Sequence, residues 1–438
     1  MFKLKTIAAL ALAIPMQYGF AQDLVATHKL GLENDPQLRS VYFGQFSTAE
    51  IKSQSIAQML PDISLYGAVS RDRINNQKET FVASGSQSYW NSSFNVNLRQ
   101  SVFNWGYWVE LGQSDNFIAQ SEAQYQAAYQ DLMVRITETY FNVLAAQDFL
   151  EFSVAERKAV GKQLEQAQQR FEVGLIAITD VYEAQAGFDQ SRSDVIGAKN
   201  SLDDRKEDLR EIIGNNPVEL NLLQKELPLT PPDPADISAW ATTAANNNFN
   251  IVAQLNQAEV ARKSINLNRS EHLPVIDIVA AYGFSDQSTY DFGQRGDNQT
   301  YGFELNMPIF TGGAIYSRTK QAEFEYKTEK ENLLQVERSV NRDVKVYYRG
   351  VISSISQVKA LKATVKSSTS ALEATEAGFQ VGTRTMVDVL AEQKDLYGAK
   401  KDYSRSRYDY LINVIKLKNA AGSLNEADME NINTHLVH

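Results

Sequence analysis

The side chains best suited to metal or acid–base chemistry are four scattered histidines, His28, His272, His435 and His438. None pairs with another at a metal-ligand spacing on one element, so a zinc-enzyme type of site is not expected. Cysteine is absent, which excludes disulfides, thiolate ligands and a lipid-modified N-terminal cysteine. No nucleophile–base pair, phosphate loop or carboxylate constellation stands out, so neither an enzyme nor a cofactor is expected. The distinctive residues lie instead where helices should end. Gly174 and Gly382 each follow an apolar seam and precede a new helix start, as a C-terminal cap in the left-handed region would, where glycine carries no Cβ penalty. Thr179 and Thr385 are then candidate N-caps. Thr385 and Asp388 stand three apart, like a capping box with Asp in place of Glu. On the residues alone, a capping role and a functional role for Asp388 weigh equally.

Long helices must position these ends. Prolines are missing from 62–216 and from everything after Pro308, and tracts of that length suit very long helices. Apolar residues recur every seven positions at Val344, Val351, Val358, Val365, Leu372 and Phe379, and again from Val389 through Leu396, Tyr403, Tyr410 and Leu417 to Leu424. The first half repeats the pattern at Val181, Phe188, Val195, Leu202 and Leu209, and at Ile136, Val143 and Leu150, resumed at Leu164 and Phe171. A period of 3.5 keeps one seam facing a partner helix, so these stretches read as coiled coil. An ordinary bundle fits poorly, since about 65 residues at 1.5 Å each make a rod of about 100 Å.

The halves are duplicates. Shifted by roughly 208 positions, Phe171, Gly174, Asp180, Val181 and Gly214 fall on Phe379, Gly382, Asp388, Val389 and Gly422. Each half also carries two alternating segments. Phe94, Val96 and Leu98 interleave with Asn95, Asn97 and Arg99, and Tyr301, Phe303 and Leu305 with Gly302, Glu304 and Asn306. Ile63, Leu65 and Val69, and Ile276, Ile278, Ala280, Tyr282 and Phe284, do likewise. Period two with one polar face is a strand signal. Polar loops are expected at 71–92 and 285–299. Tyr89, Trp90, Trp105, Trp108 and Phe310 stand where an interfacial girdle would lie.

These signals divide the chain into a signal peptide over 1–21, a first repeat over 22–230, a second over 231–422 and a C-terminal segment over 423–438. The first repeat is expected to hold a helix, two membrane strands within 62–103, and long helices over 105–172 and 179–214. The second should hold a helix, two membrane strands within 274–310, and long helices over 312–380 and 385–422. The signal peptide rests on Lys3 and Lys5, the apolar run from Ile7 to Ile14, and the small residues Gly19 and Ala21. Beyond it no run of 18 apolar residues exists, so no transmembrane helix is expected. A net charge of −10 and a pI near 5.1 argue against nucleic acid as a partner. Four strands cannot close a membrane barrel, and an open sheet in lipid leaves edge N–H and C=O groups unpaired. If the strands span a membrane, several copies must share one barrel.

The segments 170–181 (RFEVGLIAITDV) and 381–390 (VGTRTMVDVL) resemble the two helix–turn–helix tips of the TolC family of outer-membrane efflux proteins. Asp409-Tyr410-Leu411-Ile412-Asn413 and Gly422-Ser423-Leu424-Asn425-Glu426 are similar to that family too, and the likeness spans essentially the whole mature chain. The resemblance implies a mixed fold of transmembrane β-barrel strands and a long α-helical coiled-coil barrel, assembled as a homotrimer. An equatorial domain would combine the 215–248 region with the C-terminal residues. The implied function is the exit duct of drug efflux pumps and type I protein secretion. The implied partners are outer-membrane lipid, a periplasmic adaptor, and an inner-membrane pump of the RND, ABC or MFS type. By the tip motifs, Arg384 would donate to Thr179 and Asp180 as a gating lock, and Asp388 would belong to an acidic ring at the constriction. Val173, Gly174, Val381 and Gly382 would form the tip turns for adaptor docking. Two departures from the family imply a weaker lock and ring: a locking tyrosine is Phe379 here, and a second ring aspartate is Ala391, with Glu392 about 100° further round the helix. A coiled-coil surface filament or adhesin stalk is the alternative, which the duplicated strand pairs disfavour; a periplasmic binding module lacks a pocket pattern.

Overall fold

The computed structural model describes residues 22–76, 85–215, 219–287 and 294–437, so the expected signal peptide over 1–21 lies outside the described residues. The chain runs through α1 (Leu24–Asn34), α2 (Pro36–Ala57), β1 (Asp62–Asn76), β2 (Gly85–Phe103), α3 (Trp105–Glu172) and α4 (Ile178–Ile213). A second series follows in the same order: α5 (Ile237–Asn247), α6 (Phe249–Ser270), β3 (Val275–Gln287), β4 (Gln294–Asn306), α7 (Ala314–Gln380) and α8 (Met386–Ala420). A short α9 (Glu426–Asn433) ends it. Where one helix is expected before each strand pair, there are two. Pro36 starts α2 at the first helical position, where its missing N–H costs nothing, and the Asn248 side chain caps α6.

Two compact units form, each drawing on both halves of the chain. The unit of Ser40–Ala127 and Asn247–Val340 holds the sheet. Its four strands are all antiparallel in the order β1-β2-β3-β4, so β1 and β4 are the edges. The register gathers the alternating apolar residues on one face: Ile63 opposes Leu98, Leu98 opposes Ala280, and Ala280 opposes Tyr301. Leu65, Val96 and Tyr282 form the next row, and Phe94 stacks on Phe284 at 5.6 Å. That face is open to its surroundings, with Leu65 73 % and Phe303 79 % exposed. The opposite face is polar; there Arg99 donates to Asp277 at 2.9 Å and to Glu304 at 3.0 Å, tying β2, β3 and β4 together. Below the sheet, Lys263 of α6 donates to the Gly112 carbonyl and to Asn116 of α3, both at 2.6 Å.

The expected loops are shorter than foreseen. Residues 71–76, 85–92, 285–287 and 294–299 continue the strands, because a hydrogen-bonded ladder extends through Asn, Ser and Gln as readily as through apolar residues. The rest of those two loops lies outside the described residues. The second strand pair ends at Asn306 rather than 310. Phe310 sits in a turn closed by Gly312 and Gly313 at φ 64° and 84°, with its ring 87 % exposed.

The other unit gathers the segments ending at Arg39, Ala128–Asn246 and from Asn341 onward. Its core follows the seven-residue seams: Val344, Val351, Val358, Leu372 and Phe379 of α7 are buried, as are Val389, Leu396, Tyr410 and Leu417 of α8. The segment after α4 pairs with both chain ends. Asn221 donates to the Gln22 carbonyl at 3.0 Å, Gln224 to that of His435 at 2.9 Å, and Val437 to that of Leu222 at 2.8 Å. Beneath them the buried Tyr140 hydroxyl donates to the Gln22 and Asn221 carbonyls, each at 3.0 Å. Asp35 caps α2 through the Leu38 amide at 2.8 Å and takes both arms of Arg135, at 3.2 and 2.7 Å. Burial alone would raise the Asp35 pKa, but Arg135 and the capping amides hold it below its ordinary value.

His28 on α1 is 3 % exposed, and its Nε2 has no hydrogen-bond partner among the described residues. Burial pushes its pKa below the ordinary value, and the nearby Glu426 opposes this only in part. The unfolded chain therefore takes up a proton before the folded chain does. Stability is full above the unfolded value near 6.5 and declines as pH falls below it, by at most about 1.4 kcal/mol per pH unit for one proton. The melting temperature of the detergent-purified protein should fall between pH 7 and pH 5, and His28→Phe should flatten that decline; an identical slope in the variant would remove His28 as its source.

Candidate functional site

The residues singled out at the helix ends converge where α3 turns into α4 and α7 into α8. Each of α3 and α7 stops in the same way. Gly174 has φ 75° and Gly382 φ 79°, a left-handed conformation that a side chain at Cβ would strain. The Leu175 amide donates back to the Arg170 carbonyl at 2.9 Å and the Gly174 amide to that of Phe171 at 2.9 Å. Thr383 donates to Gly378 at 2.9 Å and Gly382 to Phe379 at 3.2 Å in the same pattern. Both are Schellman closures, which satisfy carbonyls left over at a helix end.

The starts of α4 and α8 differ. Thr385 caps α8: its hydroxyl accepts from the Asp388 amide at 3.3 Å, while Asp388 Oδ2 accepts from the Thr385 amide at 2.9 Å. The expected capping box is therefore present. Thr179 is not a cap. Ala177 occupies that position with no side-chain bond, so Thr179 lies one residue inside the helix and Asp180 in its first turn. An acidic side chain there faces the positive end of the helix dipole, which serves α4 in place of a capping hydroxyl.

Apolar packing joins the two hairpins. Leu164 and Ala167 of α3, Ala184 of α4, Leu372 and Phe379 of α7, and Met386, Val389 and Leu396 of α8 make one buried cluster. The turns themselves point apolar groups outward, with Val173 69 % and Val381 76 % exposed. Arg384 is exposed, and among the described residues of one chain it bonds to neither Thr179 nor Asp180. Its stem lies over Gly378, where an added Cβ would come within 2.8 Å of Arg384 Cγ. The bonds from the Thr385 amide and hydroxyl, with a smaller contribution from the Arg384 charge, hold the Asp388 carboxyl below its ordinary pKa. The capping box engages Asp388 through Oδ2.

Three contributors escaped the sequence reading. Gly378 makes room for Arg384. Arg170 sets its guanidinium over the Phe379 ring, 4.9 Å from the centroid. Gln393, only 3 % exposed, is buried beside them, its Oε1 without a hydrogen-bond partner among the described residues. All three act between residues far apart in sequence or through the absence of a side chain, and neither leaves a periodic trace.

The outer membrane efflux protein family model matches residues 29–215 and 240–423. The chain belongs to that family. The outer membrane protein TolC of Vibrio cholerae is 38 % identical over 95 % of this chain and 94 % of its own length. The proteases secretion protein PrtF of Dickeya chrysanthemi is 26 % identical over 93 % of this chain and 90 % of its own. Among solved structures, the CmeC outer membrane channel of Campylobacter jejuni shares the fold, with a TM-score of 0.76 and 15 % identity over 99 % of this chain and 98 % of that one. This efflux protein is an outer-membrane channel for efflux and type I secretion. Its place is the cell outer membrane, with a helical tunnel. The family is one of channels rather than enzymes. No helix among the described residues is long and apolar enough to cross a membrane.

The two roles of Asp388 can be separated here. Asp388→Asn keeps an acceptor for the Thr385 amide and removes the charge, whereas Thr385→Ala keeps the charge and removes a cap typically worth about 1 kcal/mol. Thermal unfolding of the purified protein should be lowered by Thr385→Ala and left almost unchanged by Asp388→Asn. The reverse order would assign the charge itself to stability.

Proposed function

We propose that three copies of this chain share one twelve-stranded barrel in the outer membrane, continued by a twelve-helix tunnel that closes at the tips described above. The observation that carries this reading is the four-stranded sheet, apolar on one face and polar on the other, with β1 and β4 at its edges. Edge groups facing lipid cost several kcal/mol each unless paired. Pairing β4 of one copy with β1 of the next satisfies them all. The apolar face then meets lipid, and the polar face, with Arg99, Asp277 and Glu304, lines water. Drugs or proteins would leave through this duct. The exposed Val173 and Val381 turns would receive a periplasmic adaptor that links the duct to an inner-membrane pump of the RND, ABC or MFS type.

In the closed state Arg384 of one copy bonds Thr179 and Asp180 of an adjacent copy. The motif placement of the three residues supports this. Charge-assisted bonds of this kind contribute about 1.5–3 kcal/mol when shielded. Asp388, once per copy, forms an acidic ring of three around the axis. Ala391 removes a second acidic position, so the ring binds polyvalent cations less tightly than one with two carboxylates per copy. Repulsion among the three carboxylates favours a polyvalent cation over a monovalent one.

Conductance in planar bilayers tests both parts. Arg384→Ser should open the channel markedly, and unchanged conductance would remove Arg384 from the gate. Block by a trivalent cation should disappear in Asp388→Asn, persist in Thr385→Ala and strengthen in Ala391→Asp. It should also weaken as salt rises, since screening acts over about 8 Å at physiological ionic strength. Undiminished block in Asp388→Asn would leave the carboxylate as a helix cap and nothing more.

A further inference from the structure

The last turns of α3 and α7 are joined by a contact that the tip motifs do not suggest. Arg170 places its guanidinium carbon 4.9 Å from the centroid of the Phe379 ring. Phe379 is 8 % exposed and packed into the apolar tip cluster with Leu164, Ala167 and Met386. The ring is therefore fixed, and one face of it is given to a cation. Arg170 is half-buried and forms no ion pair among the described residues, so no carboxylate competes for its charge. Its own carbonyl accepts the Schellman bond from Leu175 at 2.9 Å, which anchors the backbone at the point where the side chain leaves it. One level up, Gln163 of α3 donates to Glu376 of α7 at 3.0 Å. The two contacts border a cleft of about 260 Å³ that Lys162 and Gln166 also line.

We propose that Arg170 and Phe379 form an intrachain latch that holds α7 against α3 in the closed tunnel. The latch takes the place of the hydroxyl bond that phenylalanine cannot make. The inference rests on the gate reading given above and adds to it a residue, Arg170, on the first hairpin. A guanidinium over an aromatic face is attracted by the ring quadrupole, and the attraction grows as water is excluded from the face. Here the ring belongs to the core and the cation to its rim, which is the arrangement in which that attraction is retained. Any opening in which α7 moves away from α3 would separate ring from cation. The lock is therefore rewired within one chain rather than lost.

The test is conductance of the purified channel in planar bilayers, with thermal unfolding as the control for folding. Arg170→Met keeps the apolar stem and removes the charge; Phe379→Leu keeps apolar bulk and removes the ring. Each should raise the open-state population by about two- to thirtyfold, and the double variant should be no more open than the stronger single one. Phe379→Tyr, which keeps the ring, should be at least as closed as the starting protein. The Arg170→Met melting temperature should stay within a degree or two of the starting protein, by about the margin expected of a half-exposed site. Unchanged conductance in Arg170→Met overturns the latch. If Arg384→Ser opens the channel in the same experiment, the gate reading survives that failure; if it does not, both fall. Fully additive effects of Arg170→Met and Phe379→Leu would also overturn the latch, since they would show two independent packing defects.

Discussion

The structure depends on one constraint: the outer N–H and C=O groups of β1 and β4 must be hydrogen-bonded. Inside one chain they cannot be, because the strand order leaves both strands at the edges of a four-stranded sheet. In water an exposed edge is tolerated. In hydrocarbon it is not, and the exposed Leu65, Tyr301 and Phe303 leave one face unsuited to water. The closure by further copies proposed above would answer both demands at once. The duplicated chain makes that closure regular, since each half supplies one strand pair and each pair leads directly into one long helix.

In the long helices the problem changes from pairing to return. A helix of 68 residues such as α3 must stop sharply and send the chain back. Left-handed glycines at 174 and 382 do this with the same two backbone bonds at both places. Because the ends are satisfied locally, the side chains around them are free for other tasks. The core beneath is apolar and shared by both hairpins, while the rim carries Arg170, Arg384, Asp180 and Asp388. The tip thus joins a shared apolar core to a charged rim.

Much of this was legible in the sequence for physical reasons. The helix expected over 105–172 is Trp105–Glu172, because a seven-residue seam ended by glycine is a strong signal at both levels. The strand faces were legible because period two sorts residues unambiguously, and the register then places every alternating apolar residue on one side. Polar strand extensions were not legible, since ladder bonds are made by backbone and leave no side-chain pattern. Thr179 looked like Thr385, yet Ala177 takes the capping place, because cap preference is only a tendency and Asp180 offers the helix dipole a substitute. The contact of Arg170 with Phe379 spans the two halves of the chain. Nothing local marks either partner, and only the folded tip brings them together.

The proposed barrel rests on closure by copies, and the mass of the detergent-extracted particle tests it most directly. Native mass spectrometry of protein taken from the outer-membrane fraction should find three chains and no free monomer, and chemical cross-linking should stop at a three-chain species. A single chain that remains stable in detergent and conducts ions in a planar bilayer would contradict the account, because one four-stranded sheet would then have met the demands of lipid alone.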